Sequence, residues 1–402
     1  MEGKRFLHSI RLQNLLSYGS YGHEIELGQL NILIGPNGSG KSNLIAAIDL
    51  LRSAPDDLLA TINQGGGVEE WLWKGESGAK GTYPTACIDA TLDWPSTPLR
   101  YSLAFTRQGT HFIVVRESVE GPPPPNWPGG PYYVCETRDR DAIIRPALPQ
   151  GVDGSSAPPE QRTSLMYGNK SVLNQIRGPG YPELTYLAKN FSSIGLFRMA
   201  SFGPSEQIRQ PQSTDRPDGF VEEDGRNLAL VVHRLRDEAN LGDFLTEKLK
   251  VLIEDLERIS TPIRSGTIQI GLHLRGQRDP ILAAHLSDGT LRYLSLLAIL
   301  CDPNPPPLVC IEEPELGMHP DLIRTVGSLL LEASERTQLV VTTHADLLIS
   351  ALGDAPESVL ICERGEDGTE LHRLDPERMK EWLERYSLGD LWLKGAIGGT
   401  RW

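Results

Sequence analysis

No apolar run in this 402-residue chain approaches the roughly 18 residues of a membrane span, and the start, Met1-Glu2-Gly3-Lys4-Arg5, lacks the apolar core of a signal peptide. The cytoplasm is therefore the expected compartment and no membrane partner is expected. Cysteine is scarce: Cys87, Cys135, Cys301, Cys310 and Cys362 stand singly without a C-x-x-C pair, which argues against a zinc site and a disulfide framework and leaves most of them as small core residues. Positive charge is short as well. A formal net charge of -14 excludes a generally basic nucleic-acid binder, so any DNA contact must be local. Long coiled-coil arms are also missing, because the stripe Leu245, Leu249, Leu252 and Leu256 covers only about two heptads. What remains is ample: 39% hydrophobic residues over this length can bury a large core and allow two or three lobes.

The strongest local signal is Gly35-Pro36-Asn37-Gly38-Ser39-Gly40-Lys41-Ser42-Asn43. It fits G-x-x-x-x-G-K-[ST], an apolar run (Leu30, Ile32, Leu33, Ile34) precedes it as a buried strand, and an apolar-periodic helix (Leu44, Ile45, Ile48, Leu51) follows. Gly35, Gly38 and Gly40 let the backbone take positive φ and turn its N–H groups inward, making an anion site with the helix N-terminus. Lys41 is placed to reach the β- and γ-phosphates of a nucleotide, and the Ser42 hydroxyl to ligate Mg²⁺. About twenty residues earlier, Tyr18 or Tyr21 could stack on adenine, with a turn tyrosine as the commoner explanation.

A second group of motifs lies in the last third. Leu308-Val309-Cys310-Ile311-Glu312-Glu313 is a buried strand ending in two carboxylates, the place where ligands bind in parallel α/β sheets. In a nucleotide site Glu312 would serve the Mg²⁺ shell and Glu313 would orient and deprotonate the attacking water. Leu339-Val340-Val341-Thr342-Thr343-His344 repeats the arrangement, and His344 either bonds the γ-phosphate or sits in a helix-capping turn. Ser287-Asp288-Gly289 precedes an apolar helix and makes a second anion site. A single nucleotide satisfies both anion sites only if the second comes from another subunit, so a homodimer closed on ATP is expected.

Between these ends the text organises coarsely. Two or three strands are expected before residue 35, and an antiparallel meander between Thr85 and Thr137 with a Gln108-Gly109 turn. The Gly121 to Pro131 and Pro149 to Pro159 stretches read as surface loops. Asn227 is expected to cap a helix through Leu235, and a second helix is expected from Leu241 to Leu256. From Arg162 to Arg198, five basic residues stand against one acid, Glu183, which makes this the best local candidate for a phosphate-backbone contact, or else a solvated face.

Together these motifs resemble the ABC-type ATPases, within them the RecF-like and SMC-like branch and its overcoming-lysogenization-defect relatives. The resemblance covers the first 50 residues and about residues 195 to 350. It makes Gly35 to Ser42 the Walker A loop, Ser287-Asp288-Gly289 the signature, Leu308 to Glu313 Walker B, residues 315–320 the D-loop, His344 the switch histidine and Gln64 a candidate Q-loop residue that would serve the metal. Two departures stand out: Glu312 occupies a position usually held by aspartate, and Asp288 one that transporter ATPases fill with glycine. About 245 residues between Lys41 and Ser287 further weaken a transporter reading.

The implied fold is an α/β P-loop NTPase of ABC-ATPase type, a mixed central sheet with an antiparallel β lobe and a small helical lobe. Expected divisions are an N-terminal ATPase lobe (1–80), a β-rich insertion (81–195), a helical lobe (196–265), a C-terminal ATPase lobe (266–360) and an extension (361–402). The implied activity is Mg²⁺-dependent hydrolysis of ATP, coupled to DNA repair or anti-phage defence, or to an ATP-gated scaffold that recruits a separate effector. The closing segment 386–395 resembles that of stand-alone ATPases that work beside such an effector, sometimes a Toprim-like nuclease. The stretch after His344 is too short for a nuclease domain, so cleavage would fall to another chain.

Overall fold

The computed structural model describes residues 5–75, 83–95, 97–124, 127–138, 141–146, 160–165, 168–198, 203 and 205–398; the expected loop from Pro149 to Pro159 lies outside them. Its centre is a six-stranded sheet in the order Gly195–Arg198, Leu308–Glu312, Gln338–Thr342, Leu30–Ile34, Val359–Gly365, Gly368–Arg373. All neighbours pair in parallel except the last two, which form an antiparallel hairpin. The sheet is mixed, as expected.

Period-two alternation divides the apolar residues of this sheet between two cores. Leu33, Cys310, Val340 and Leu360 face one cluster, shared with Leu44, Ile48 and Leu51 of the helix Lys41–Ser53. Ile32, Ile34, Val309, Ile311 and Val341 face the other, with Leu291, Leu294 and Leu297 of the helix Asp288–Leu300. Both faces are covered, which is why these strands read as unbroken hydrophobic runs rather than alternating ones.

Over the first core lies an eight-stranded antiparallel sheet. Its meander runs Ala86–Leu92, Leu99–Gln108, His111–Glu120, Tyr133–Arg138, Asp141–Ile144 and Gln161–Ser164, and Gly109 takes φ 64° at the expected turn. The strand Leu7–Gln13 joins it beside Ala86–Leu92, so this sheet draws on residues from both sides of position 80.

The region after residue 205 corrects two local expectations. Asn227 stands at the N-cap of Leu228–Asp237, but its fully buried side chain bonds Glu222 N, Pro217 O and Phe220 O instead of capping the helix. The following helix is Gly242–Lys250, and Leu256 opens a strand, Leu256–Ser260, paired with Gly271–Leu274. A short apolar run cannot be told apart by periodicity alone, and here cross-strand pairing decides.

Candidate nucleotide site

Three loops leave the C-terminal ends of adjacent parallel strands. Register places Glu312 beside Thr342 and Thr342 beside Leu33, so the Glu312-Glu313, Thr343-His344 and Gly35 to Ser42 segments start at one level. This is where open α/β sheets bind ligands.

The phosphate loop is built as its residues dictate. Gly35, Gly38 and Gly40 have φ of 146°, 77° and 103°. Pro36 is half-buried, Asn37 and Gly38 are exposed, and Ser39 Oγ is buried with no hydrogen-bond partner, leaving one polar atom of the cradle unsatisfied. Lys41 Nζ donates to the carbonyls of Gly35 at 2.8 Å and Pro36 at 2.9 Å, which holds the ammonium over the loop. Burial pulls the Lys41 pKa down, against the influence of Cys362 and Glu313. Ser42 is exposed at the first turn of the helix, where N–H groups lack intrahelical acceptors.

A support under this loop is invisible in the motif. Thr369 Oγ1 donates to Ser39 O at 2.8 Å and meets Ser17 Oγ at 2.7 Å, while Asn43 Nδ2 reaches Ser17 Oγ at 2.7 Å. Tyr18 is buried and its hydroxyl donates to Gly40 O at 3.3 Å, so its ring braces the loop and is withdrawn from adenine stacking. Tyr21 is 74% exposed. Beside Gly38 and Asn43 opens a cavity of about 490 Å³, lined also by Ser17, Trp73, Arg364 and Thr369. A larger cavity, of about 840 Å³, contains none of the motif residues; it is lined by Arg5, Gly28, Gln29, Leu30 and Arg373.

On the carboxylate side, Glu313 takes φ 46°, unusual for a residue with a side chain, and its N–H donates to Thr342 O at 3.0 Å. Its Oε1 stands 3.5 Å from His344 Nε2. Glu312 is engaged differently: Oε1 accepts from Arg198 Nε at 3.0 Å, and the same guanidinium reaches Glu223 at 3.0 Å and Asp49 at 3.3 Å. Burial works to lower the Arg198 pKa, but Glu223, Asp49 and Glu312 hold it above the usual value. The sequence reading misses Arg198, Ser17 and Thr369 as parts of the site, and includes Glu315 only as the first residue of the D-loop.

Ser287 caps Asp288–Leu300, its Oγ accepting from Thr290 N at 3.1 Å, and remains exposed; its hydrogen bonds stay within its own helix. Asp288 pairs with the buried Arg209, which also donates to Ala283 O at 3.2 Å and Leu286 O at 2.5 Å. That pairing explains an acid where transporters carry glycine. Gly289 faces the D-loop, since a Cβ there would meet Gly317 O at 3.3 Å. Gln64 ends the helix Leu58–Gln64 with an exposed side chain and makes no hydrogen bond to Ser42 or Glu312. Two residues of the basic run from Arg162 are engaged within the chain: Arg198 turns to Glu312, and Arg177 to Pro55 O and Asp56.

Ser42 and Glu312 offer hard oxygen donors of the kind Mg²⁺ takes, and among the described residues no group of three or more His, Cys, Asp or Glu could cage a metal. A Mg²⁺ that comes with nucleotide needs only one or two protein oxygens, so the donor set fits.

A family model described as "AAA domain, putative AbiEii toxin, Type IV TA system" matches residues 30–350. No curated protein matches the sequence. Among solved structures, an SmcHead bound to the C-winged helix domain of ScpA shares 13% identity over 93% of this chain and 99% of that one, with a TM-score of 0.56. The Pyrococcus furiosus Smc head domain with an extended coiled coil, bound to the C-terminal domain of ScpA, shares 14% over 94% and 98%, with a TM-score of 0.52. At these identities the likeness is one of fold. Among the described residues no helix is long and apolar enough to cross a membrane.

Proposed function

The chain belongs to the family of AAA domains described as putative AbiEii toxin, Type IV TA system, and from this AAA-type ATPase frame we propose an ATP-dependent dimerisation switch of ABC type. One observation carries the reading. The phosphate loop and the Glu313–His344 pair share one end of the sheet, while the exposed Ser287 at a second helix N-terminus keeps its bonds within its own helix. Two copies facing each other would each complete the other's site.

In this mechanism Lys41 exchanges the carbonyls of Gly35 and Pro36 for the β- and γ-phosphates, and the loop N–H groups cradle them. Ser42 and Glu312 would hold Mg²⁺, which would supply charge that neutralises the phosphates. Glu313 orients a water and takes its proton as the water oxygen attacks the γ-phosphorus and the bond to the β-bridging oxygen breaks. His344 from the same subunit and Ser287 from the partner bond the transferred phosphoryl group. Preorganised charge of this kind supplies most of the rate. The cavity lined by Trp73 and Arg364 takes base and ribose.

On this reading the switch serves DNA repair or anti-phage defence; the family description itself names a putative toxin of a type IV toxin–antitoxin system. DNA stimulation of hydrolysis, with binding that weakens steeply in salt, would distinguish direct DNA sensing. A second reading, an ATP-gated scaffold for a separate effector such as a Toprim-like nuclease, is favoured by Trp382, Tyr386 and Leu393, which are 50%, 40% and 48% exposed. Salt-insensitive turnover and co-purification of a partner would select it.

The decisive experiment is Glu313→Gln in size-exclusion chromatography with and without Mg²⁺-ATP. The variant should bind ATP, lose turnover by about a hundredfold or more and run as a dimer only with nucleotide. A monomer throughout, or full turnover, removes the switch.

A further inference from the structure

Glu315, the second carboxylate after the strand Leu308–Glu312, has no assigned part in the chemistry above. Its Oε1 accepts from Thr343 Oγ1 at 2.7 Å and from His344 N at 2.8 Å. Its Oε2 is buried with no hydrogen-bond partner. Burial pushes its pKa up, against the hydrogen bonds from Thr343 and His344. Placing a carboxyl group there is unfavourable unless its bonds matter, because an apolar side chain of similar size would fill the space without an unsatisfied oxygen.

What an apolar side chain cannot do is accept two donors where the chain leaves the strand Gln338–Thr342. The second of them, His344 N, ties the backbone of His344, whose Nε2 lies 3.5 Å from Glu313 Oε1. Glu313 N closes the circuit by donating to Thr342 O at 3.0 Å. The loops after two neighbouring parallel strands are thus stitched together at Glu315.

We propose that Glu315 is a positioning residue, its Oε1 holding the main chain of His344 so that the imidazole faces Glu313. This rests on the ATPase reading above, in which Glu313 and His344 act on the attacking water and the γ-phosphate. The acceptor oxygen, rather than the charge, does the positioning. Glutamine therefore replaces it and alanine does not.

The test compares Glu315→Ala, Glu315→Gln and Thr343→Val by three readings: amide hydrogen exchange at His344, affinity for a fluorescent ATP analogue, and single-turnover hydrolysis. For Glu315→Ala, exchange at His344 should quicken and hydrolysis fall about a hundredfold while nucleotide affinity stays at the parent value, the pattern of a misplaced group. Glu315→Gln should match the parent in all three. Thr343→Val, which removes one of the two donors and keeps side-chain shape, should match the parent in affinity and exchange, since the His344 bond to Oε1 remains. If Glu315→Ala leaves His344 exchange unchanged, or Glu315→Gln is as impaired as alanine, the proposal is overturned. A parent protein that hydrolyses no ATP would sink the ATPase reading instead, and the exchange measurement would still decide the role of Glu315.

Discussion

Arg198 Nε donates to Glu312 Oε1 at 3.0 Å across two parallel strands whose register sets these residues side by side. The carboxylate that the proposed mechanism offers to Mg²⁺ therefore already has a cation on one oxygen. Arg198→Ala leaves Asp49 and Glu312 without their shared countercharge. Because Arg198 is about one-third exposed, the pair is screened, and a coupling of about 1 kcal/mol is expected in a double-mutant cycle with Glu312→Gln. Arg198→Lys should not restore it, since a point charge cannot fork to three carboxylates. Zero coupling in thermal melts would refute this account.

The phosphate loop separates two glycines that share positive φ. A Cβ at Gly35 would lie 2.2 Å from the Cys362 carbonyl oxygen, whereas one at Gly38 meets nothing within 4 Å. Gly35→Ala should abolish nucleotide binding, and Gly38→Ala should cost only the backbone strain of about 1–3 kcal/mol. Titration with a fluorescent ATP analogue separates them; equal effects would contradict the contact with residue 362.

Lys41 gives a pH signature with opposite signs in its two readouts. Burial lowers its pKa from the ordinary 10.5, so between the lowered value and 10.5 the unfolded chain binds more protons, and stability of the free protein rises with pH. ATP affinity runs the other way, because the ammonium that meets the phosphates is lost over the same window. Binding curves and melts at stepped alkaline pH check both slopes. In Lys41→Arg, which stays charged, the slope assigned to residue 41 should vanish.

The site proposed to be shared between two subunits predicts rescue in trans. Lys41→Ala and Ser287→Arg should each be inactive alone, and mixing them should recover part of the turnover, because the mixed dimer keeps one site with both residues intact. Phosphate release from the mixture measures this. No recovery, with dimers shown to exchange subunits, would place the signature and the phosphate loop in separate roles.

Much of the candidate nucleotide site is legible in the chain because each motif is contiguous. An apolar strand followed at once by Gly35 to Ser42, by Glu312-Glu313 or by Thr343-His344 carries both its placement and its chemistry in a few residues. Arg198, Glu315 and Thr369 are not legible in the same way. Their partners lie 114, 29 and 330 residues off, at Glu312, His344 and Ser39, and only the sheet order brings them together. Tyr18 illustrates a different limit. Its spacing from Lys41 allows adenine stacking beside the commoner turn tyrosine, and its burial removes the first. At Leu256 an apolar spacing that fits a helix belongs instead to a strand, because Leu274 is opposite.

The strand that leads into the phosphate loop, Leu30–Ile34, is flanked by Gln338–Thr342 on one side and Val359–Gly365 on the other. During synthesis this early strand must wait for both neighbours, which emerge more than 300 residues later. Such remote pairings are slow to form and leave apolar strand edges uncovered in the interval. The nascent protein thus carries its complete nucleotide motif through most of translation without a site to put it in, and competence to bind ATP arrives late and all at once.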